Sequence, residues 1–143
     1  MKKTIMHVYE VLLNDITSLG SLVLYGVILL VSFILSAELG LSLLYGVVVL
    51  YAFVVPLRLL FFRNRPVEQV FSNWVEKIDS SSFPSLHGGR MGLLCSIFMG
   101  LEFFYLVVFV AVLVCVSRIL LKKHHMSDIL VGFALGLVIG LFV

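Results

Sequence analysis

SRILLKKHHMSDILVGFALGLVIG, residues 117–140, decides how this chain is built. It closes one apolar run, breaks at Lys122–Asp128, and opens a second apolar run that continues to Val143. Neither run alternates apolar and polar residues as a half-buried strand would, and each is long enough for a helix. Gly132, Gly136 and Gly140 recur every four residues, so on a helix they share one face, where they let a neighbouring helix approach closely. The stretch therefore reads as a hairpin of two membrane helices, with Arg118, His124, His125 and Asp128 gathered at its bend.

The rest of the chain has the same solvent. Of its 143 residues, 62% are hydrophobic and only 13% are charged, with a mean hydropathy of +1.18. A chain of this length forms one small domain, and so much apolar surface cannot hide in one small core. Lipid must cover most of it. A net charge of +2 is too small to argue for nucleic acid. Cys95 and Cys115 both lie in apolar runs and read as small buried hydrophobes. Glu10 and Asp15 precede the first long apolar run, which does not fit a cleavable signal peptide.

Working outward, residues 4–16 place Ile5, Met6, Tyr9, Leu12, Leu13 and Ile16 on one side of a helix, which predicts an amphipathic segment on the membrane surface. Spans are expected at Ile16–Ala37, at Leu41–Phe62 with Pro56 and Arg58 near its exit, from Pro84-Ser85 to Leu101, at Phe103–Leu121, and after the polar break to Val143. The one long polar stretch, 63–90, predicts a short interfacial helix opened by Pro66. Val67, Val70, Phe71, Trp74 and Ile78 would share its apolar face, with Glu68 and Lys77 suiting the dipole. An irregular interfacial linker is the alternative. The fold expected is all-α, a polytopic membrane bundle of about five transmembrane helices plus an amphipathic amino-terminal helix and this interfacial helix. It forms a single membrane-embedded domain over 1–143, with its chemistry-bearing core at 41–143.

Charged groups near bilayer depth are costly and mark function. Helical hairpins bring Arg58–Arg65, Ser85–Arg90, Arg118 and His124–Asp128 to one membrane face. Several guanidinium groups around one point suit a multiply charged anion, because their forks match phosphate oxygens. Ser85 and the amides of Leu86 and His87, at a helix start, would add donors. His124 and Asp128 are four apart and so neighbours on a helix, which lets the carboxylate hold one ring nitrogen and leave the other as nucleophile. His87, on another span, can protonate a leaving oxygen from the opposite side. The set describes in-line phosphoryl transfer. Taken singly, each piece has another reading: snorkelling arginines that set topology, a simple helix cap at Ser85, and a solvated turn or a metal site at His124, His125 and Asp128.

Three ordered motifs carry a resemblance to the type-2 phosphatidic acid phosphatase superfamily, the lipid phosphate phosphatases. The family's Lys, six residues, Arg-Pro is matched by Arg58 and Arg65-Pro66; its Pro-Ser-Gly-His by Pro84-Ser85-Leu86-His87; and its Ser-Arg, five residues, His, three residues, Asp by Ser117-Arg118, His124 and Asp128. The motifs span about half the chain. The resemblance implies that His124 is the nucleophile, oriented by Asp128, that His87 is the general acid and then the base, and that Arg58, Arg65, Ser85, Leu86 and Arg118 bind the phosphate. It implies no metal and no cofactor. This chain departs from the family with Arg58 for Lys, with Leu86 for Gly, and with the basic interior Lys122, Lys123 and His125, which could meet a second phosphate or be a solvated turn. Many relatives have six spans.

The substrate implied is a lipid phosphate or diphosphate: an isoprenyl diphosphate, phosphatidic acid, phosphatidylglycerophosphate or phosphorylated lipid A. The only other partners expected are membrane lipids, with no nucleic acid. Phosphotransfer to another lipid through the same phosphohistidine is the first alternative, and a non-catalytic lipid-binding membrane protein the second. A prokaryotic cell membrane is the expected location. Setting aside Arg58, Arg65 and Arg118, the remaining Lys and Arg (Lys2, Lys3, Arg63, Lys77, Arg90, Lys122, Lys123) lie on the face that carries the site, which the positive-inside rule makes cytoplasmic. Many relatives look outward.

Overall fold

A computed structural model of the chain describes residues 2–67 and 72–143, with side chains from Thr4 onward. Among the described residues there are seven helices and no strand: α1 (Lys2–Ser18), α2 (Leu22–Leu35), α3 (Ala37–Leu60), α4 (Trp74–Ser80), α5 (Leu86–Ile97), α6 (Phe104–Leu120) and α7 (Met126–Gly140). Local chemistry sets their ends. Ser21 caps α2 by accepting from Leu24 N–H. Ser36 ends α2 by donating its N–H to Ser32, then caps α3 with its hydroxyl on Leu39 N–H. One serine thus makes the whole break between α2 and α3.

The helical stretches Thr4–Leu35 and Ala37–Leu60 are each long and apolar enough to cross a bilayer. Large apolar side chains stand bare on the outer faces, among them Val23, Ile34, Leu60 and Tyr105, each at least 75% exposed. In water such a surface would drive aggregation. Lipid is the medium that tolerates it, so the chain is membrane-associated.

α5 is the centre. Its residues from Gly88 to Ser96 are all buried. It packs most extensively against α7, and also against α3 and α6. The α5–α7 seam is backbone on backbone. A Cβ on Gly132 would meet the Ser85 carbonyl, one on Gly136 the Gly89 carbonyl, and one on Gly92 the Phe133 carbonyl. The four-residue glycine repeat of the sequence therefore does what its spacing implied, and Gly88 and Gly92 answer it from the facing helix. Leu43, Leu50 and Val54 of α3, Leu93 of α5 and Val114 of α6 fill the core around the seam.

Several boundaries differ from expectation. The first apolar helix starts at Leu22 rather than Ile16, because α1 runs to Ser18 and a turn intervenes. α1 also does more than lie on a surface. Leu13 and Thr17 are buried, α1 packs along α6, and the Thr17 and Ser117 hydroxyls hydrogen-bond at 2.7 Å. Its remaining apolar residues, including Ile5 and Met6, stay exposed. α5 stops at Ile97, short of Leu101. The interfacial helix begins at Trp74, not Pro66. Asn73 is its cap, its side chain accepting from Glu76 N–H at 2.8 Å, whereas Pro66 and Val67 are irregular. The expected placements of Glu68, Val70 and Phe71 lie outside the described residues. α3 continues as helix through Pro56 to Leu60.

Candidate active site

Five chain segments, the α1–α2 turn among them, meet at one end of the bundle and line a cavity of about 340 Å³. Arg58 reaches it from the end of α3, and Arg65 and Asp79 from the arm between α3 and α5. Leu86, His87 and Arg90 come from the first turn and a half of α5. Arg118 ends α6, and Lys123 and His124 follow it. Of the residues singled out in the sequence, Arg58, Arg65, Leu86, His87, Arg118 and His124 line this one cavity. Ser85 and Asp128 do not.

Ser85 is fully buried behind the wall. Its hydroxyl accepts from Gly88 N–H and so caps α5, and its own N–H donates to the Asp128 carbonyl at 3.0 Å. The helix-cap reading is the one its geometry matches. Leu86 is the first residue of α5 with ordinary helical backbone, and Lys122 is the non-glycine residue with positive φ among those described. The departure from Gly at position 86 is therefore accommodated without strain.

Asp128 does not orient His124. One carboxylate oxygen accepts from Arg63 at 2.8 Å and the other from His125 N–H at 2.8 Å. The carboxylate thus closes the start of α7 and pins the arm to it, while remaining fully buried. The His124 ring is held elsewhere. Its Nδ1 lies 2.8 Å from the Ser82 carbonyl, and its Nε2 lies 3.2 Å from Nη2 of Arg118. A carbonyl only accepts, so Nδ1 carries the proton and Nε2 presents a lone pair. Burial, then the Arg118 guanidinium, pushes the His124 pKa down from 6.5 to about 3, with the Ser82 bond opposing. The ring is therefore neutral at physiological pH, as a nitrogen nucleophile must be. Burial, then Arg118 and Arg65, likewise lowers the pKa of Lys123.

Arg58 is 3% exposed and serves the arm as well as the cavity. It donates to the Pro84 carbonyl at 3.1 and 3.3 Å and to the Ile78 carbonyl at 3.3 Å, and it pairs with the Asp79 carboxylate at 3.6 Å. Arg65 donates to the Asp79 backbone carbonyl. Nε of Arg118 is buried with no hydrogen-bond partner among the described residues. A buried cationic donor left open beside the cavity is suited to an anionic ligand.

Several participants escaped the sequence reading. Arg90 and Arg63 were counted as topology charges. Arg90 is instead buried, donating to the Gly20 carbonyl at 2.7 and 3.0 Å and to the Tyr51 hydroxyl at 2.8 Å. It locks the α1–α2 turn, whose Ser21 and Leu22 form part of the cavity wall. Helical spacing held a signal for two of these residues: Arg90 is three residues past His87, and Tyr51 seven before Arg58. Ser82 acts through its carbonyl, which every residue has, so no side-chain pattern could reveal it.

An apolar helix bundle that walls a cavity with four arginines, one lysine and two imidazoles defines a membrane-associated protein with a site suited to anions. The chain belongs to the PAP2 superfamily, whose family model matches residues 39–143. This membership supports phosphatase activity on lipid phosphates. Among solved structures, the crystal structure of Aquifex aeolicus LpxE is similar to it, with a TM-score of 0.77 and 19% identity over 93% of this chain and 83% of that one. The shared fold extends beyond the family model to most of α1 and α2, the helices flanking the turn that Arg90 grips.

Proposed function

We propose that the protein hydrolyses a lipid phosphate or diphosphate through a phosphohistidine on His124, without a metal. The observation that carries this is the pairing in one cationic cavity of a neutral His124, its Nε2 lone pair facing Arg118, with His87 on a different helix.

In the empty site Arg118 donates to Nε2 of His124. An arriving phosphate offers that guanidinium better acceptors. Arg118 turns its N–H groups to phosphate oxygens, and Nε2 is released to attack phosphorus. Arg65, Lys123 and Arg58 neutralise the remaining oxygens, and charge developing in the transition state meets preorganised cations. His87 takes up a proton as the phosphate dianion enters and offsets the surrounding guanidinium charge, and the P–O bond to the lipid breaks as this imidazolium gives that proton to the leaving oxygen. His87 then takes a proton from water, the hydroxide attacks the phosphohistidine, and orthophosphate leaves with His124 restored. The Ser82 carbonyl steadies Nδ1–H throughout and strengthens as an acceptor when the ring gains positive character. Asp128 contributes by position, tying α7 to Arg63 and to the Ser85 backbone.

The cavity opens at one end of an apolar bundle, so an amphiphile can present its phosphate while its tail stays in lipid. Isoprenyl diphosphate, phosphatidic acid, phosphatidylglycerophosphate and phosphorylated lipid A all fit that description. A single domain with α2, α3, α5, α6 and α7 as five spans accommodates the site, with α1 and α4 at its rim. We place the protein in a prokaryotic cell membrane with its site cytoplasmic, and the Lys bias (Lys2, Lys3, Lys77, Lys122 and Lys123) supports that orientation by the positive-inside rule. Arg63 and Arg90 no longer count toward that bias, since both have structural partners. Ser72 is exposed, so Ser72→Cys is the position for impermeant thiol labelling in intact cells. Labelling would exclude the cytoplasmic orientation.

The test of function is phosphate release by detergent-purified protein across these lipid classes with EDTA present. Release by the wild type and none by His124→Ala is expected. Hydrolysis by His124→Ala, or activity abolished by EDTA and restored by zinc, would overturn the mechanism.

A further inference from the structure

Among the described residues one carboxylate lines the cationic cavity, that of Asp79, which the phosphoryl mechanism does not use. Its placement is specific. It sits 3.6 Å from Nη1 of Arg58, while its own backbone carbonyl receives Arg65. The Asp79 side chain is 79% exposed, against 3% for Arg58. One partner is therefore fixed in the wall, and the other stands in solvent at the mouth and can leave without breaking any packing.

We propose that Asp79 is an internal counter-ion of the empty site: its carboxylate holds the place at Arg58 that a phosphate oxygen takes in the complex, and its return weakens the hold on the product orthophosphate. This rests on the reading that the cavity binds phosphate. The physical reason is competition for one guanidinium. A free orthophosphate must displace Asp79 or share Arg58 with it, and like charges at that separation oppose each other. A lipid phosphate has additional binding energy from its tail to offset this cost. Orthophosphate has none, so the same cost that a tail-anchored substrate tolerates leaves the product weakly held. The contacts that hold the arm, from Arg58 and Arg65 to the carbonyls of Ile78, Pro84 and Asp79, do not involve the carboxylate. Removing the charge therefore leaves the arm in place.

The experiment is equilibrium binding of radiolabelled orthophosphate to the detergent-purified full chain. Asp79→Asn is expected to bind it about fivefold more tightly than wild type, the upper range for one exposed ion pair. Asp79→Glu, which keeps the charge, is expected to stay near wild type. Glu76→Gln on the same helix serves as control, because that carboxylate is bonded to Ser72 and Asn73 and does not line the cavity. Unchanged or weaker binding by Asp79→Asn would overturn the inference, as would equal tightening in Asp79→Glu. If the wild type binds no orthophosphate at all, the phosphate reading of the cavity falls with it. If the wild type binds orthophosphate and the Asn variant does not differ, only the role of Asp79 falls.

Discussion

The α5–α7 seam and the arm between α3 and α5 both border the cavity, and they hold their functional residues in opposite ways. The seam is glycine against backbone, with no side chain between the helices along much of its length. His87 stands one residue into α5, and His124 two residues before α7. Their spacing is thus set by two helices packed at their closest approach, so added bulk in the seam pushes them apart. In the arm, α4 has little packing of its own, and Ser80–Ser82 and Pro84 behind it are buried. Arg58, Arg65 and Arg63 hold it by bonds to carbonyls and to Asp128. Both histidines sit beside packed helix ends, with Arg58 and Arg118 at the ends of α3 and α6, while Arg65 and the Ser82 carbonyl that holds His124 belong to the arm, whose polar contacts can exchange for those of a ligand. Catalytic geometry is most precise when built on packed elements, and ligand clamps need room to close.

That contrast can be broken at several points. The largest effect is expected at His87. His87→Ala should lower kcat by about 10²- to 10⁴-fold, the usual range for a general acid–base group, with phosphate affinity largely kept. Single-turnover kinetics beside orthophosphate binding would check it, and a loss confined to binding would place His87 with the clamp. Next comes the seam. Gly136→Ala drives a methyl into the Gly89 carbonyl. It should cost about 1–3 kcal/mol of stability, with a matching loss of activity as the two histidines separate. Thermal unfolding in detergent together with phosphate release would show this, and full activity at an unchanged midpoint would contradict the rigid-seam account.

A third, smaller effect concerns protonation. Burial and Arg118 disfavour the His124 cation, so its midpoint moves down from 6.5 to about 3. The ring should remain neutral from pH 7 down to pH 4 in substrate-free protein. ¹⁵N-histidine NMR, with the signal assigned by its loss in His124→Asn, reads this directly, and protonation near 6.5 would mean that the ring is not buried as described. The smallest effect is expected at Lys122, which holds φ at 54° in the turn that leads to His124. Lys122→Gly relieves that strain and should leave stability within about 1 kcal/mol of wild type or slightly above it. A drop well beyond that would show that the Lys122 side chain is structural.

The sequence made the seam far more legible than the arm. A glycine every four residues has a geometric meaning that no partner can alter, and apolar runs bounded by turns located α3, α6 and α7 to within a few residues. The residues at helix ends converged because hairpins leave no other arrangement. The arm lacked any such periodicity. Its helix begins at Trp74 because the Asn73 side-chain cap outweighs the expected proline start at Pro66. The acceptor for His124 proved to be the Ser82 carbonyl, and the carboxylate four residues on, which spacing pointed to, turned instead to Arg63. In a nonperiodic segment tertiary partners decide such choices, and side-chain identity is a weak guide to them.

The most direct test of the central claim is to trap the reacting enzyme. Purified protein would be mixed with a ³²P-labelled lipid phosphate, quenched within milliseconds, and the label mapped by proteolysis. The account predicts an acid-labile, alkali-stable label on His124, present in wild type, increased in His87→Ala once a good leaving group makes the first step independent of the acid, and absent in His124→Ala. A label on any other residue, or turnover with no covalent label under conditions that preserve phosphohistidine, would contradict it.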